Sequence, residues 1–181
     1  HFDNYLPASS VLSSDIAHHG PGLSYQLYEG NAGAQFNSDY FHGLSHLNTF
    51  FRNWLNGADD AKTTWTSPFW LNMGNRYYNV IGNVFGTDLD HNLYASFPGS
   101  GGTCSKAIYA LDWGGACASG TLADDSLVTS TLMRWGNYDT VNDAVRWVAG
   151  EVPSVDAFYP NPVPANQVLP SSFYLSSVPS F

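Results

Sequence analysis

Between Tyr25 and Asn83 the chain runs in short bursts of aromatic, β-branched and aliphatic residues, each closed by the same kind of polar stop. The first burst is Tyr25-Gln-Leu-Tyr-Glu-Gly-Asn31, the second Asn48-Thr-Phe-Phe-Arg-Asn53-Trp and the third Tyr77-Tyr-Asn-Val-Ile-Gly-Asn83-Val. A fourth, Leu132-Met-Arg-Trp-Gly-Asn137, comes much later. The closing asparagines are separated by 53 − 31 = 22, 83 − 53 = 30 and 137 − 83 = 54 residues. A step near 22 that stretches by insertion predicts a solenoid, in which each burst is the strand of one coil and surplus residues leave as loops. Stacked coils would bring Asn31, Asn53, Asn83 and Asn137 one above another. Their side-chain amides can then hydrogen-bond along the stack, and asparagine tolerates the left-handed backbone that turns a coil.

Taken in order, residues 1–14 read as a loop with at most a short strand, and Asp15 to Gly22 as a turn punctuated by Gly and Pro. The polar stretch Asn56 to Thr64 supplies the eight residues by which the second step exceeds the first. Thr66 to Met73 is expected to be a strand of the third coil. Ile108 to Trp113 reads as a strand, and Asp124 to Met133 as a strand leading into the fourth burst. From Val152 onward prolines recur at 153, 160, 162, 164, 170 and 179. Proline cannot donate to a ladder, so residues 151–181 are expected as an irregular cap on the coils of residues 1–150, within one domain.

Composition narrows the class. Charged residues are 12 % of the chain and aromatics 15 %, with 17 Gly and 10 Pro, a profile of turn-rich β structure. A net charge of −9 with six basic residues leaves no basic stripe to displace counterions, which argues against nucleic acid. Neutral glycans, held by aromatic faces and amides, suit this surface better than strongly anionic ones. Cys104 and Cys117 have the spacing of one disulfide rather than of a metal site, which points outside the cell. No apolar run is long enough to insert in a membrane.

The runs His18-His-Gly-Pro-Gly22, Asp39-Tyr-Phe-His-Gly-Leu-Ser-His46 through Trp54, and Asn75 to Gly86 resemble secreted right-handed parallel β-helix proteins of the pectate-lyase-like superfamily. Leu132 to Asp139 and Leu169 to Ser177 resemble its C-terminal part. The resemblance implies an all-β right-handed parallel β-helix. It also implies further coils ahead of His1, so that the first coil presents an edge for an upstream segment or another copy of the chain. Activity is not implied, because the superfamily holds lyases, hydrolases, epimerases, tailspikes and adhesins.

The candidate chemistry lies in Asp39, His42 and His46 around one turn, with His18 and His19 one coil earlier (for His19, 42 − 19 = 23). A carboxylate beside imidazoles can act as a general acid–base pair or bind a divalent metal. Arg52 and Arg76 lie in or next to the bursts, and lyases of this superfamily use such an arginine as base, with calcium neutralising the uronate. Asp59 with Asp60, Asp88 with Asp90, and Asp124 with Asp125 are the carboxylates that could hold calcium, though no metal site is legible. Trp65 and Trp113 stand in loop contexts suited to sugar stacking, whereas Trp54 and Trp135 are expected in the core. An amino-terminal His1 would offer a copper-binding pair, but the antiparallel sandwich that hosts such sites disagrees with the repeats. The competing account makes every one of these residues structural, satisfying turn amides and carbonyls. Two functions follow: an extracellular module that binds or cleaves polysaccharide, or a structural unit of a fibre, sheath or adhesin assembled through its ends.

Overall fold

The computed structural model describes residues 10–88, 90–120, 122–154 and 162–176. His1, and the part of the proline-rich tail that carries Pro160 and Pro179, lie outside the described residues. The chain makes successive passes through three sheets. The first pass is β1 (Ile16–His18), β2 (Leu27–Glu29) and β3 (Ala32–Gly33). The second is β4 (Phe36–Ser38), β5 (Thr49–Phe51) and β6 (Trp54–Leu55), and the third β7 (Phe69–Leu71), β8 (Asn79–Ile81) and β9 (Val84–Phe85). Then come β10 (Leu93–Ser96), β11 (Ala107–Leu111), a short helix α1 (Leu127–Thr131), β12 (Met133–Trp135), β13 (Asn137–Asp139) and β14 (Ala144–Arg146). The first sheet is ordered β1-β4-β7-β11-β10, the second β2-β5-β8-β12 and the third β3-β6-β9-β13-β14. The fold is all-β in this sense, and the named strands pair in parallel except β13 with β14.

These strands are too short to hold by their ladders alone, so the interior and the corners fix them. Register keeps like positions in rows: Tyr28, Phe50, Val80 and Arg134 are cross-strand neighbours. Phe36, Phe50 and Phe69 are fully buried, with ring centroids 4.3 to 5.1 Å apart, and Leu55, Leu71, Tyr78, Phe85 and Tyr109 are among the other members of the core. Burying each large side chain contributes roughly 1.5–3 kcal/mol before chain entropy is subtracted. The inward row ends on charge. Arg134 lies 5.3 and 5.2 Å over the rings of Tyr94 and Tyr109, and Glu151 accepts from Arg146 (2.9 Å) and Tyr94 (3.0 Å).

The corner between the second and third sheets carries the asparagines. Asn31 Nδ2 donates to Asn53 Oδ1 (2.8 Å), Asn53 Nδ2 to Asn83 Oδ1 (2.9 Å) and Asn83 Nδ2 to Asn137 Oδ1 (3.0 Å). Each accepting oxygen also takes the backbone N–H of the asparagine before it, at 2.9 to 3.0 Å. The left-handed residue is not the asparagine but the one ahead of it: Gly30, Arg52, Gly82 and Gly136, with φ of 72, 53, 65 and 68°. Glycine takes that conformation without steric cost, which is why three of the four phrases read Gly-Asn. At Gly82 a Cβ would also meet Leu169 Cδ1 at 2.7 Å.

Three sequence expectations change. Ile16 to His18, inside the expected turn, is a strand, because Ile16 packs on the core and pairing with β4 overrides the flanking Gly and Pro. Asp124 to Met133 contains helix α1 rather than a continuous strand; Thr129 N–H donates to Asp112 Oδ1 (2.8 Å), and Val128 and Thr131 are buried. Trp54 is 54 % exposed because β6 turns its side chain outward, whereas Trp135 is buried. Strand order also departs from a simple succession, since β11 inserts between β7 and β10. The Cys104–Cys117 disulfide is present and packs with Trp70, Ala110 and Trp113 beside that insertion.

The asparagine column yields a graded prediction. Asn53→Ala removes a buried amide bonded to both neighbouring passes, and should lower unfolding free energy in urea by about 2–4 kcal/mol. Asn31→Ala, at the exposed end, should cost less than half as much.

Candidate functional site

His18 pairs with Ser38 and Ser38 with Leu71, so the residues that follow form a second column where the first sheet ends: His19, Asp39, Asn72 and then Asp112. Backbone bonds hold it, with Asp39 N donating to His18 O (3.1 Å), Asn72 N to Ser38 O (3.0 Å) and Asp112 N to Leu71 O (3.2 Å). His19 Nδ1 contacts Asp39 Oδ2, with side chains 56 and 14 % exposed. His42 stands edge-on to His19 at 4.6 Å between ring centroids, and the exposed Phe41 ring is 6.2 Å from His19. Asp39 Oδ1 accepts Phe41 N–H (3.0 Å), which fixes the carboxylate against its own turn. Asn75, fully buried, anchors the turn: its Oδ1 accepts from Ser38 Oγ and Ser45 N–H, both at 2.8 Å, and its Nδ2 reaches Asp39 O at 3.0 Å.

Asp39, His19 and His42 are therefore neighbours, and the other candidates are not part of that cluster. His46 is bracketed by Ser24 and Arg76 in neighbouring passes, and its Nδ1 accepts Arg76 N–H (3.4 Å). Burial, and then the Arg76 charge, hold its imidazole below the ordinary range. Arg76 pairs with Asp125 (2.8 Å). Arg52 donates to Pro170 O (2.9 Å) in the tail and lies over Phe51, at the asparagine corner. Neither arginine is placed to act as a base beside Asp39. Trp113 is buried beside the disulfide, which withdraws its ring from solvent, and Trp65 packs edge-on against Trp70.

Of the carboxylates considered for calcium, Asp124 and Asp125 already have partners within the fold. Asp124 is taken up by Gly114 N–H and Ser119 Oγ, and Asp125 by Arg76 and Gly74 N–H. Among the described residues no three His, Cys, Asp or Glu side chains converge as metal ligands would.

Asp112 was not legible as a site residue, and the surroundings of His18 were not legible either. Asp112 is buried with its backbone at φ 72°, and both its oxygens accept from Thr129 Oγ1 (2.8 and 2.9 Å). Burial pushes its carboxyl up. His18 is enclosed between two phenols, 2.8 Å from Tyr78 Oη and 2.8 Å from Tyr28 Oη. Tyr28 donates onward to Gln26 Oε1, so Nε2–H of a neutral His18 donates to Tyr28, while the Tyr78 hydroxyl stands between His18 Nδ1 and Ser38 Oγ, to which it donates at 3.2 Å. Burial lowers the His18 pKa to about 4 and raises that of Tyr78 to about 12.

No family model, curated protein or solved structure matches the chain.

The His18 shift fixes a pH dependence. The unfolded chain takes up this proton near pH 6.5 and the folded one only near pH 4, so stability is full above about 6.5 and falls as pH drops toward 4. The loss should approach about 3 kcal/mol in urea titrations and should flatten in His18→Gln.

Proposed function

We propose that this chain is a right-handed parallel β-helix module that handles polysaccharide outside the cell, with acid–base cleavage at the column ending the first sheet. The observation that carries this reading is the cluster of His19, Asp39 and His42, gathered beside the exposed Phe41 in the turns that follow two adjacent parallel strands. Asp39 supplies an acceptor for a proton, His19 holds it in place, and His42 stands within reach of the same ligand. The disulfide and the small number of charged side chains suit an extracellular setting. No membrane-spanning helix occurs among the described residues.

A second reading has its own support. β1, β2 and β3 are edge strands, and Asn31 Oδ1, the oxygen that a preceding asparagine would engage, has no partner among the described residues. That edge suits a further β-helix segment or another copy of the chain, as a structural unit of a fibre, sheath or adhesin would need.

Asp39→Asn keeps the turn acceptor for Phe41 N–H yet removes the basic carboxylate. It should reduce release of reducing or unsaturated ends from a degraded polysaccharide by at least 100-fold, with an unchanged circular dichroism spectrum. Unchanged cleavage by both Asp39→Asn and His42→Ala would move the structural reading ahead.

A further inference from the structure

The outer face of the second sheet carries a groove of about 520 Å³, lined by Tyr25, Gln26, Leu27, Leu47, Thr49, Tyr77, Asn79, Ile81 and Phe173. It begins one residue beyond Ser24, His46 and Arg76, which are cross-strand neighbours. Tyr25, Leu47 and Tyr77 thus form one row along the stacking direction, each at a φ near 60°. The floor is the next outward row, Leu27, Thr49 and Asn79. The opposite wall is the tail: Phe173 packs on Phe51 at 4.2 Å, and its N–H donates to Glu29 Oε2 (3.0 Å).

Three properties define what this groove accepts. None of its lining side chains is charged at neutral pH, in a chain whose net charge of −9 disfavours polyanions. Its polar groups are amides and hydroxyls. Asn79 Nδ2 donates to Thr49 Oγ1 (3.3 Å), and neither Asn79 Oδ1 nor the Thr49 hydroxyl proton has a partner among the described residues. Finally, the two tyrosines lie two passes apart, which the spacing of parallel strands sets at about 9.5 Å. That is close to the length of two sugar rings in an extended chain, and Tyr25 is 81 % exposed.

We infer that this groove binds an uncharged, extended oligosaccharide along the stacking direction. One ring lies against Tyr25 and the ring two units on lies against Tyr77, while hydroxyls between them exchange hydrogen bonds with Thr49 and Asn79. The ring faces supply the apolar contact and the amide–hydroxyl floor selects hydroxyls over hydrocarbon. This rests on the polysaccharide reading above and gives it a substrate class. The groove lies across the Ser24–His46–Arg76 corner from His19 and Asp39, so it would hold chain flanking the bond to be cleaved.

The test is calorimetric titration of the full chain with cellohexaose, xylohexaose, mannohexaose and hexagalacturonate, repeated with Tyr25→Asn and with Asp60→Asn. Asparagine tolerates the left-handed backbone at position 25, and the side chain is solvent-exposed, so that variant keeps its fold. At least one neutral hexasaccharide should bind with little dependence on salt. Tyr25→Asn should weaken it tenfold or more and Asp60→Asn, an exposed loop change outside the groove, less than twofold, with the corresponding disaccharide binding at least tenfold more weakly. Binding of hexagalacturonate alone, or neutral binding that Tyr25→Asn leaves intact, would overturn the groove assignment while leaving polysaccharide handling standing. Absence of binding to all four would overturn both.

Discussion

A primary amide bonded in both directions is the constraint on which this architecture rests. In the middle of the column, the Asn53 oxygen accepts two N–H groups from the pass before, and its nitrogen donates both to Asn83 in the next pass and to Tyr28 O in the previous one. Asn83 repeats the arrangement with Asn137 and Phe50 O. A buried amide so satisfied costs nothing in lost solvation, whereas one missing partner would leave donors and acceptors stranded. The column thereby fixes register: a slip of one residue would break it and turn the inward row of Tyr28, Phe50 and Val80 outward. Once register is fixed, the residues that follow the first-sheet strands must also line up, and His19 meets Asp39 for that reason.

The corner was the most legible part of the chain because it is the most constrained. It needs a left-handed residue followed by an amide, and few residue types satisfy either condition, so the phrase recurs visibly at 31, 53, 83 and 137. The proximity of His19, Asp39 and His42 followed from the same step. The groove left a fainter signal: Tyr25, Leu47 and Tyr77 each precede a column asparagine by six residues (31 − 25, 53 − 47, 83 − 77). What could not be read depends on distant partners. His18 looks like turn residue until Tyr28 and Tyr78 close around it. Helix α1 depends on Asp112 capturing Thr129 N–H, and β11 finds its place between β7 and β10 only in three dimensions. Trp113 reads as a loop residue and is buried by the disulfide that closes that loop.

The two ends of the stack differ in chemistry. At one, Arg134 occupies the inward row and its charge is met by Tyr94, Tyr109 and the Glu151 carboxylate, so the interior terminates in ions and rings rather than hydrocarbon. At the other, among the described residues, β1, β2 and β3 each pair on one side only and Asn31 Oδ1 takes no hydrogen bond. The two proposed sites lie on either side of one corner, with His46 and Arg76 between them and Asn75 beneath. A ligand long enough to touch both would cross three passes held together by buried amides, a rigid base for positioning a chain.

The most direct test of the account is nuclear magnetic resonance of the side-chain amides. In protein labelled on asparagine nitrogen, the NH₂ groups of Asn53, Asn83 and Asn137 should exchange slowly with solvent. Cross-relaxation should link Asn31 to Asn53, Asn53 to Asn83 and Asn83 to Asn137, residues 22, 30 and 54 apart in sequence. Fast exchange at Asn53 and Asn83, with no cross-relaxation between those pairs, would contradict the stacked column and the sites built on its register.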